Sequence, residues 1–366
     1  YLFNVSSVTL HFGVFFLQTI SPVLIVFGTI GNLLSILVMS RRKMRSSNAA
    51  VYLISLAIAD TGALIIGLLR FFVAEPICKI RFWLTFVSLD ISAWVLVAFT
   101  IERFLSVCFP HRLKTFCTQK SSIIAVVCIA VVMLAHNSHF LYGYGDVIIT
   151  YENTSILVRC IFVSDNYSDF FYNIHIWISL CVNCFIPLVI FIVCNSFIAT
   201  KVLLRSRKMH KIAEDKTAKY ASRESLAVTG RQESNSRLTI MLFTVTIVFL
   251  ITTAPIRVLF ILLPSLQFQT SKDYAVLYLT HKVTVILMYT NNSVNFILYC
   301  VTGSKFRNEV LKMFRELCNR IGRINPTNDA ENVCSRRQSL IARQIITEVT
   351  ELPPKEIVPL QIPDDV

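Results

Sequence analysis

Charge is scarce in this chain. Asp, Glu, Lys and Arg make up 16% of its 366 residues, where a soluble globular domain carries about 25%. Hydrophobic residues reach 54% and mean hydropathy is +0.62, a surplus that aggregates unless lipid solvates it. Catalytic signatures are missing as well. There is no His-Glu-x-x-His, no Gly-x-Ser-x-Gly and no pair of intramembrane Asp residues. Neither a metal-activated water nor an activated nucleophile can be argued, so no enzyme is expected. No period of about 20–50 residues recurs, which speaks against a transporter built from duplicated halves. No basic segment with a cleavage site precedes the first apolar run, so no signal peptide is expected. The charge that exists is one-sided, at net +13. Its basic residues sit in short runs between long apolar segments rather than on a soluble face, which excludes nucleic acid as the partner.

The apolar segments themselves set the fold class. A helix needs about 20 mostly apolar residues to cross roughly 30 Å of hydrocarbon. Seven segments qualify, at 20–40, 50–73, 80–109, 121–143, 173–204, 238–263 and 274–301. Each must be helical, because lipid offers its backbone no hydrogen-bond partner. The sequence therefore predicts an all-α membrane protein, a seven-transmembrane helix bundle over 20–303. Residues 1–19 are expected as an extracellular N-terminal segment, 304–318 as an amphipathic cytoplasmic helix, and 319–366 as a largely disordered cytoplasmic tail. Arg41, Arg42, Lys43 and Arg45 follow the first span, Arg112, Lys114 and Lys120 the third, and a long basic loop joins the fifth to the sixth. By the positive-inside rule these loops are cytoplasmic and the N-terminus is outside, as for a multi-pass protein of the plasma membrane. Glycosylation sequons at Asn4, Asn153 and Asn166 fall on the outer side; a fourth, at Asn291, lies inside the seventh span as a chance match. The loop at 205–237 is charged and aperiodic, and partial disorder is expected there. In the tail, Arg336-Arg337-Gln338-Ser339 suits a basophilic kinase or, equally, a solvated stretch near anionic lipid.

Eleven cysteines are scattered through spans and tail, mostly as small apolar packing residues. Two differ by position: Cys78 opens the third span on the outside, and Cys160 lies in the long outer loop before the fifth. Both face an oxidising compartment where a bridge persists. Residues 147–151 and 156–161 read as two strands around a turn at 152–155. A Cys78–Cys160 bridge would tie this extracellular β-hairpin to the third helix as a lid beside an open mouth. Cys318 has two readings, a palmitoylation site or an inert thiol.

With these elements in order, the chain resembles the rhodopsin-like (class A) G-protein-coupled receptors over roughly 20–318. Gly31-Asn32 and Leu56-Ala57-Ile58-Ala59-Asp60 match the family's first- and second-helix motifs. Glu102-Arg103-Phe104 with Pro110 is similar to Asp/Glu-Arg-Tyr and its downstream Pro. Pro187 and Pro255 fall at the fifth- and sixth-helix kinks, Asn295-Phe-Ile-Leu-Tyr299 resembles Asn-Pro-x-x-Tyr, and Lys305-Phe306-Arg307 opens the short amphipathic eighth helix.

Physical chemistry says why these residues matter. A charge near mid-bilayer costs about 2.5–3.5 kcal/mol or more, so Asp60 and Arg103 demand partners or water. Asp60, Asn32, Ser92, Asn291, Asn292 and Asn295 are expected to converge. The resemblance implies a hydrated network that often holds a sodium ion at Asp60; a neutral cluster that glues helices, or an Asp60 that takes up a proton, are the alternatives. No structural metal and no other cofactor is expected. Arg103 pairs with Glu102 when the receptor is off and meets a heterotrimeric G protein when on, as the resemblance implies, or else snorkels to headgroups. Pro187 and Pro255 each remove a backbone hydrogen bond, giving a helix that can bend between two packings. Phe249 matches the aromatic that the resemblance implies rearranges below the binding site, or else packs as an ordinary core residue. Arrestin and receptor kinases are further partners the resemblance implies.

Departures bear on switching rather than on fold. Thr252-Thr253-Ala254-Pro255 stands where the family has Cys-Trp-x-Pro, Asn195 replaces a fifth-helix Tyr, Phe296 replaces a Pro, and the fourth span has no Trp. Thr85 occupies the place of the amine receptors' Asp, and Tyr289 that of the retinal-bearing Lys, which disfavours an amine receptor and an opsin. The expected pocket contains Arg70, Thr85, Leu89, Asp90, Arg257, His281, Lys282 and Tyr289, with Phe82, Trp83 and the hairpin completing it. The arginines either pair with Asp90 or await an anionic group, such as a peptide C-terminus or acidic side chain, which Arg forks bidentately. The sequence-based reading is a receptor for an extracellular peptide, most like a neuropeptide receptor, that moves its sixth helix to activate a G protein. A small anionic metabolite or odorant is the second ligand class, and a transporter or channel the competing protein class.

Overall fold

The computed structural model describes residues 2–68, 77–109, 117–151, 154–215, 223–263, 266 and 270–324. Eight long helical runs and one hairpin make up the described chain: α1 (Leu2–Met39), α2 (Asn48–Leu68), α3 (Ile77–Cys108), α4 (Gln119–His136), strands β1 (Tyr144–Tyr151) and β2 (Thr154–Phe162), α5, α6 (Arg223–Leu262), α7 (Ser271–Thr302) and α8 (Ser304–Ile324). The α5 run joins three α-helical pieces, Asp165–Phe170, Ile176–Leu180 and Ile186–Asp215, through wider π turns at Phe171–His175 and Cys181–Phe185.

Boundaries depart from expectation where sequence signals were local. The 1–19 segment is helical from Leu2, and the part apolar enough for a bilayer begins at His11. Pro22, which would suit a first turn, lies inside α1 instead. The 205–237 loop is helical through Asp215 and again from Arg223, with 216–222 outside the described residues. Its Lys, Arg, Glu, Ala and Leu residues are good helix formers, and helix propagates cheaply from an end already formed in the membrane. The tail is likewise helical to Ile324 rather than 318.

Among the described residues, six helical segments pass by length and apolarity as membrane spans. The seventh expected span, α7, runs 32 residues, about 48 Å at 1.5 Å per residue, but Lys282, Asn291, Asn292, Ser293 and Asn295 dilute its apolar character. Those five side chains are all buried. In α7 the polarity faces protein while Val276, Val283, Ile297 and Val301 are exposed.

Apolar side chains face outward on the other helices as well. Phe15, Phe27, Ile124, Val131, Val189 and Ile251 stand exposed, a surface only lipid can cover. The central helix is α3, which packs against α2, α4 and α5, while α1 packs on α2 and α7 and α6 on α7. The α1–α7 seam is close: a Cβ on Gly28 would lie 3.0 Å from Ser293 Cα and 2.5 Å from Leu64 Cδ1. Contacts divide the chain into two units, Tyr1–Arg307 and Asn308–Val366. In the second, Leu311, Phe314 and Leu317 form an exposed apolar stripe at helical spacing, the pattern of a helix lying along a membrane surface. The Cys318 thiol beside that stripe is exposed.

Candidate functional site

A cavity of about 600 Å³ opens among α3, α5, α6, α7 and the hairpin, within the range of small-ligand sites. From α3 it takes Arg81, Phe82, Thr85, Phe86 and Leu89, residues that recur every three or four positions and so share one helix face. Thr85 donates its hydroxyl to the Arg81 carbonyl at 2.7 Å. The hairpin supplies Tyr144 and Phe162, and Tyr144 stacks on Phe82 with centroids 4.4 Å apart. Burial holds the Tyr144 phenol protonated, well above its ordinary range. From α7 come Tyr278, His281 and Tyr289. The Tyr289 hydroxyl passes so close to α2 that a Cβ on Gly67 would overlap it, so any larger residue there would displace the Tyr289 ring.

The hairpin is positioned by its own irregularity. β1 and β2 pair antiparallel with a register shift between Gly145 and Val147, where Arg159 and Cys160 oppose Asp146 alone. Cys160 sits in the left-handed region at φ 63°, unfavourable for a residue with a Cβ. Such a bulge re-aims a side chain, and Cys160 is bridged to Cys78 at the start of α3. The Asp146 carboxylate accepts the Cys160 backbone N–H at 3.0 Å, offsetting the lost ladder bond. Nothing local in the sequence announces this bulge.

Arg257 reaches the cavity from α6, and its Nη1 donates to Ser179 Oγ on α5 at 3.2 Å. Asp90, also expected in the pocket, is not itself a lining residue, though the charge of Arg257 acts on it. Asp90 is buried, and Asn137 Nδ2 donates to its carboxylate at 2.8 Å. Its position one residue past Leu89 turns it toward α4. Trp83 faces the same way, its Nε1 donating to the Leu134 carbonyl at 3.1 Å. Lys282 is also buried outside the lining, its Nζ 4.6 Å from the Tyr278 ring centroid. Arg70 lies outside the described residues. Sequence reasoning missed Arg81, Phe86, Phe171, Phe260 and Tyr278 as lining residues; for Arg81 and Phe86 the signal was their helical spacing to Thr85 and Phe82. It also missed His136, His139 and His175, packed beside the lid with the last two rings 4.1 Å apart.

Below the cavity, Asp60 is fully buried. It accepts from Ser92 Oγ at 2.6 Å, Asn292 Nδ2 at 2.7 Å and Asn295 Nδ2 at 2.7 Å. Asn32 Nδ2 ties α1 in by donating to the Asn292 carbonyl at 3.2 Å. Asn291 is buried but is not among the side chains bonded to Asp60; it lies about 100° round the helix from Asn292. The side-chain carbonyl oxygens of Asn32, Asn292 and Asn295 are buried without a hydrogen-bond partner.

At the opposite end of α3, Arg103 Nη2 donates to both carboxylate oxygens of Glu102 at 3.0 Å. Its guanidinium carbon lies 5.3 Å from the Phe99 ring centroid, and Phe99 stacks in turn on Tyr52. The pair is closed in this structure. Phe249 packs edge-on against Phe191, centroids 5.8 Å apart. Above it, Thr252 and Thr253 donate to the Val248 and Phe249 carbonyls at 2.7 and 2.6 Å, just before Pro255 inside α6. The second π turn of α5 ends two residues before Pro187, whose ring cannot serve the carbonyl four residues back. Tyr299 is buried against Phe306, centroids 5.6 Å apart, with an unpartnered hydroxyl. Asn166 is exposed in the first turn of α5; Asn4 lies on the α1 backbone, while Asn153 and Ser339 fall outside the described residues.

Known proteins place this arrangement. The FMRFamide receptor of Drosophila melanogaster is 27% identical over 309 residues, 79% of this chain and 52% of its own length. The mouse thyrotropin-releasing hormone receptor is 26% identical over 328 residues, 83% of this chain and 79% of its own. The allatostatin-A receptor of Bombyx mori is 24% identical over 296 residues, 77% and 74% of the two chains. The chain thus spans about half the length of the Drosophila relative. The model of the 7 transmembrane receptor (rhodopsin family) matches residues 31–299, from the glycine beside Asn32 to Tyr299; the chain belongs to that family.

Proposed function

We propose that the chain is a G-protein-coupled receptor of the plasma membrane, with its N-terminus outside, that binds an extracellular peptide and signals by moving the cytoplasmic half of α6. The carrying observation is the pairing of two features on α3: an aromatic cavity under a disulfide-anchored hairpin at one end, and the Arg103–Glu102 pair at the other. The relatives above, receptors for FMRFamide, thyrotropin-releasing hormone and allatostatin-A, support a peptide as the ligand. A transporter is less well supported, because the polar side chains gather around one buried Asp rather than along a path. Arrestin and receptor kinases would act on the same cytoplasmic face.

Arg257 is the group proposed to take an anionic or carbonyl group of the ligand. Its guanidinium has five donors; Nη1 donates to the Ser179 hydroxyl, and its charge also acts on the buried Asp90 carboxylate. A sodium ion is proposed at Asp60. The donor set fits: a buried carboxylate stands beside three amide oxygens that lack partners, all hard oxygen ligands. An ion there would supply countercharge to Asp60, and Ser92, Asn292 and Asn295 would hold the carboxylate in place.

Cells expressing the chain are screened with peptide libraries, reading calcium and cyclic nucleotide together. Truncating a charged partner costs about 2–5 kcal/mol, so Arg257→Ala should weaken the response to an acidic agonist at least 30-fold. An unchanged potency refutes the anion role; substrate flux in proteoliposomes would refute the receptor reading.

A further inference from the structure

Beside the Arg103–Glu102 pair lies an amide that neither the family motifs nor the sequence singled out. Asn48 is the first residue of α2. Ser47 caps that helix, its Oγ accepting the Ala50 N–H at 3.3 Å, so the Asn48 side chain is free for work elsewhere. Its Nδ2 donates to the Cys117 carbonyl at 2.9 Å and approaches Glu102 Oε1 at 3.4 Å. Both hydrogens of one amide nitrogen are thereby spoken for, one by the chain just before α4 and one by the acid that holds Arg103. Gln119 makes a second tie across the same gap, donating to the Arg45 carbonyl. Glu102 is 6% exposed, and a buried carboxylate keeps its orientation only while donors hold it.

We propose that Asn48 is a positioning residue of the off state: it orients Glu102 for Arg103 and couples that pair to the segment that enters α4. This rests on the receptor reading above. Without the Asn48 amide, Glu102 loses a donor to the same Oε1 that accepts from Arg103, its carboxylate can turn, and Arg103 is released more often. The Cys117 carbonyl is let go in the same step. The effect requires Glu102, since Asn48 touches Arg103 only through it.

Basal nucleotide exchange is measured on membranes carrying the full chain and a panel of heterotrimeric G proteins, at matched surface amounts and without ligand. Asn48→Ala should raise basal exchange about fivefold, the factor that about 1 kcal/mol carries, and Glu102→Gln by at least as much. In the Glu102→Gln background Asn48→Ala should add nothing, as expected of two residues acting through one contact. A rise of equal size in both backgrounds, or no rise in the unaltered chain, overturns the inference while leaving the receptor intact. Should Glu102→Gln itself leave basal exchange unchanged across the panel, the off-state pair fails and takes this inference with it.

Discussion

Asp60 has four lone-pair directions and fills three of them with donors from two other helices. The residue is thus oriented from α3 and α7 at once, and two of the unpartnered amide oxygens, on Asn292 and Asn295, lie on the carboxamides that do the orienting, while the third, on Asn32, belongs to the side chain that bonds the Asn292 carbonyl. Three buried acceptors without donors are costly, at about 1–3 kcal/mol each, unless a cation or water meets them. The proposed sodium ion answers that cost, and it leads to an expected outcome. Purified receptor should unfold at a higher temperature in sodium chloride than in choline chloride at equal ionic strength, by several degrees, since a bound ion stabilises only the folded state. Asp60→Asn should abolish the difference. A sodium increment that survives Asp60→Asn would place the ion elsewhere. Much of this site was legible in the sequence, because a lone acid in an apolar span must find polar partners. That Asn291 stands apart while Asn292 and Asn295 bond was not: three asparagines within five residues leave the choice to the rotation of α7 about its own axis.

Helices carry the same lesson in their breaks. The prolines showed where α5 and α6 would be interrupted, but not how each interruption is relieved. In α5 the ladder widens into a π turn over Cys181–Phe185 before Pro187. In α6 two threonine hydroxyls bond back to carbonyls a turn earlier, before Pro255, a habit that bends helices slightly. These threonines replace the usual Cys-Trp pair, so the proposed bending of α6 would depend on backbone chemistry and on Phe249 against Phe191. Restoring the missing N–H with Pro255→Ala should stiffen α6. The expected result is a thermal unfolding temperature equal to or above that of the parent, with the maximal agonist response at least halved. An undiminished maximal response would show that α6 does not bend at Pro255. The hairpin divides in the same manner between legible and hidden: alternation at 147–151 and 156–161 marked its strands, whereas the bulge at Arg159–Cys160 arises from a demand set by a residue 82 positions away.

Among the described residues, many large apolar side chains face outward while polar clusters such as that around Asp60 lie inside, and a covalent tie fixes the hairpin to α3. Fold class followed from span counting because the bilayer imposes one secondary structure on every crossing. The pocket followed less well, because the lining of a cavity is decided by helix rotation and by long-range contacts: Asp90 and Leu89 are neighbours in sequence yet face Asn137 and the cavity respectively. The Cys78–Cys160 bridge is the one constraint that spans these scales, since it fixes the lid to α3 and closes a loop containing all of α4. A sequence separation of 82 corresponds, in the chain-entropy treatment, to about 4–5 kcal/mol of constraint on the unfolded chain. Part of that chain stays helical in the membrane when packing is lost, so the realised effect is smaller than the full figure. Joint replacement Cys78→Ala and Cys160→Ala should lower the unfolding temperature by roughly 5 °C or more and free the hairpin to exchange amide hydrogens faster than α3 or α7. It should weaken peptide binding while leaving basal nucleotide exchange as it was, because the Arg103–Glu102 pair sits at the far end of α3 and does not depend on the lid. A double variant with unchanged hairpin protection would show that Asp146 and the aromatic packing of Tyr144 on Phe82 hold the lid without the bridge.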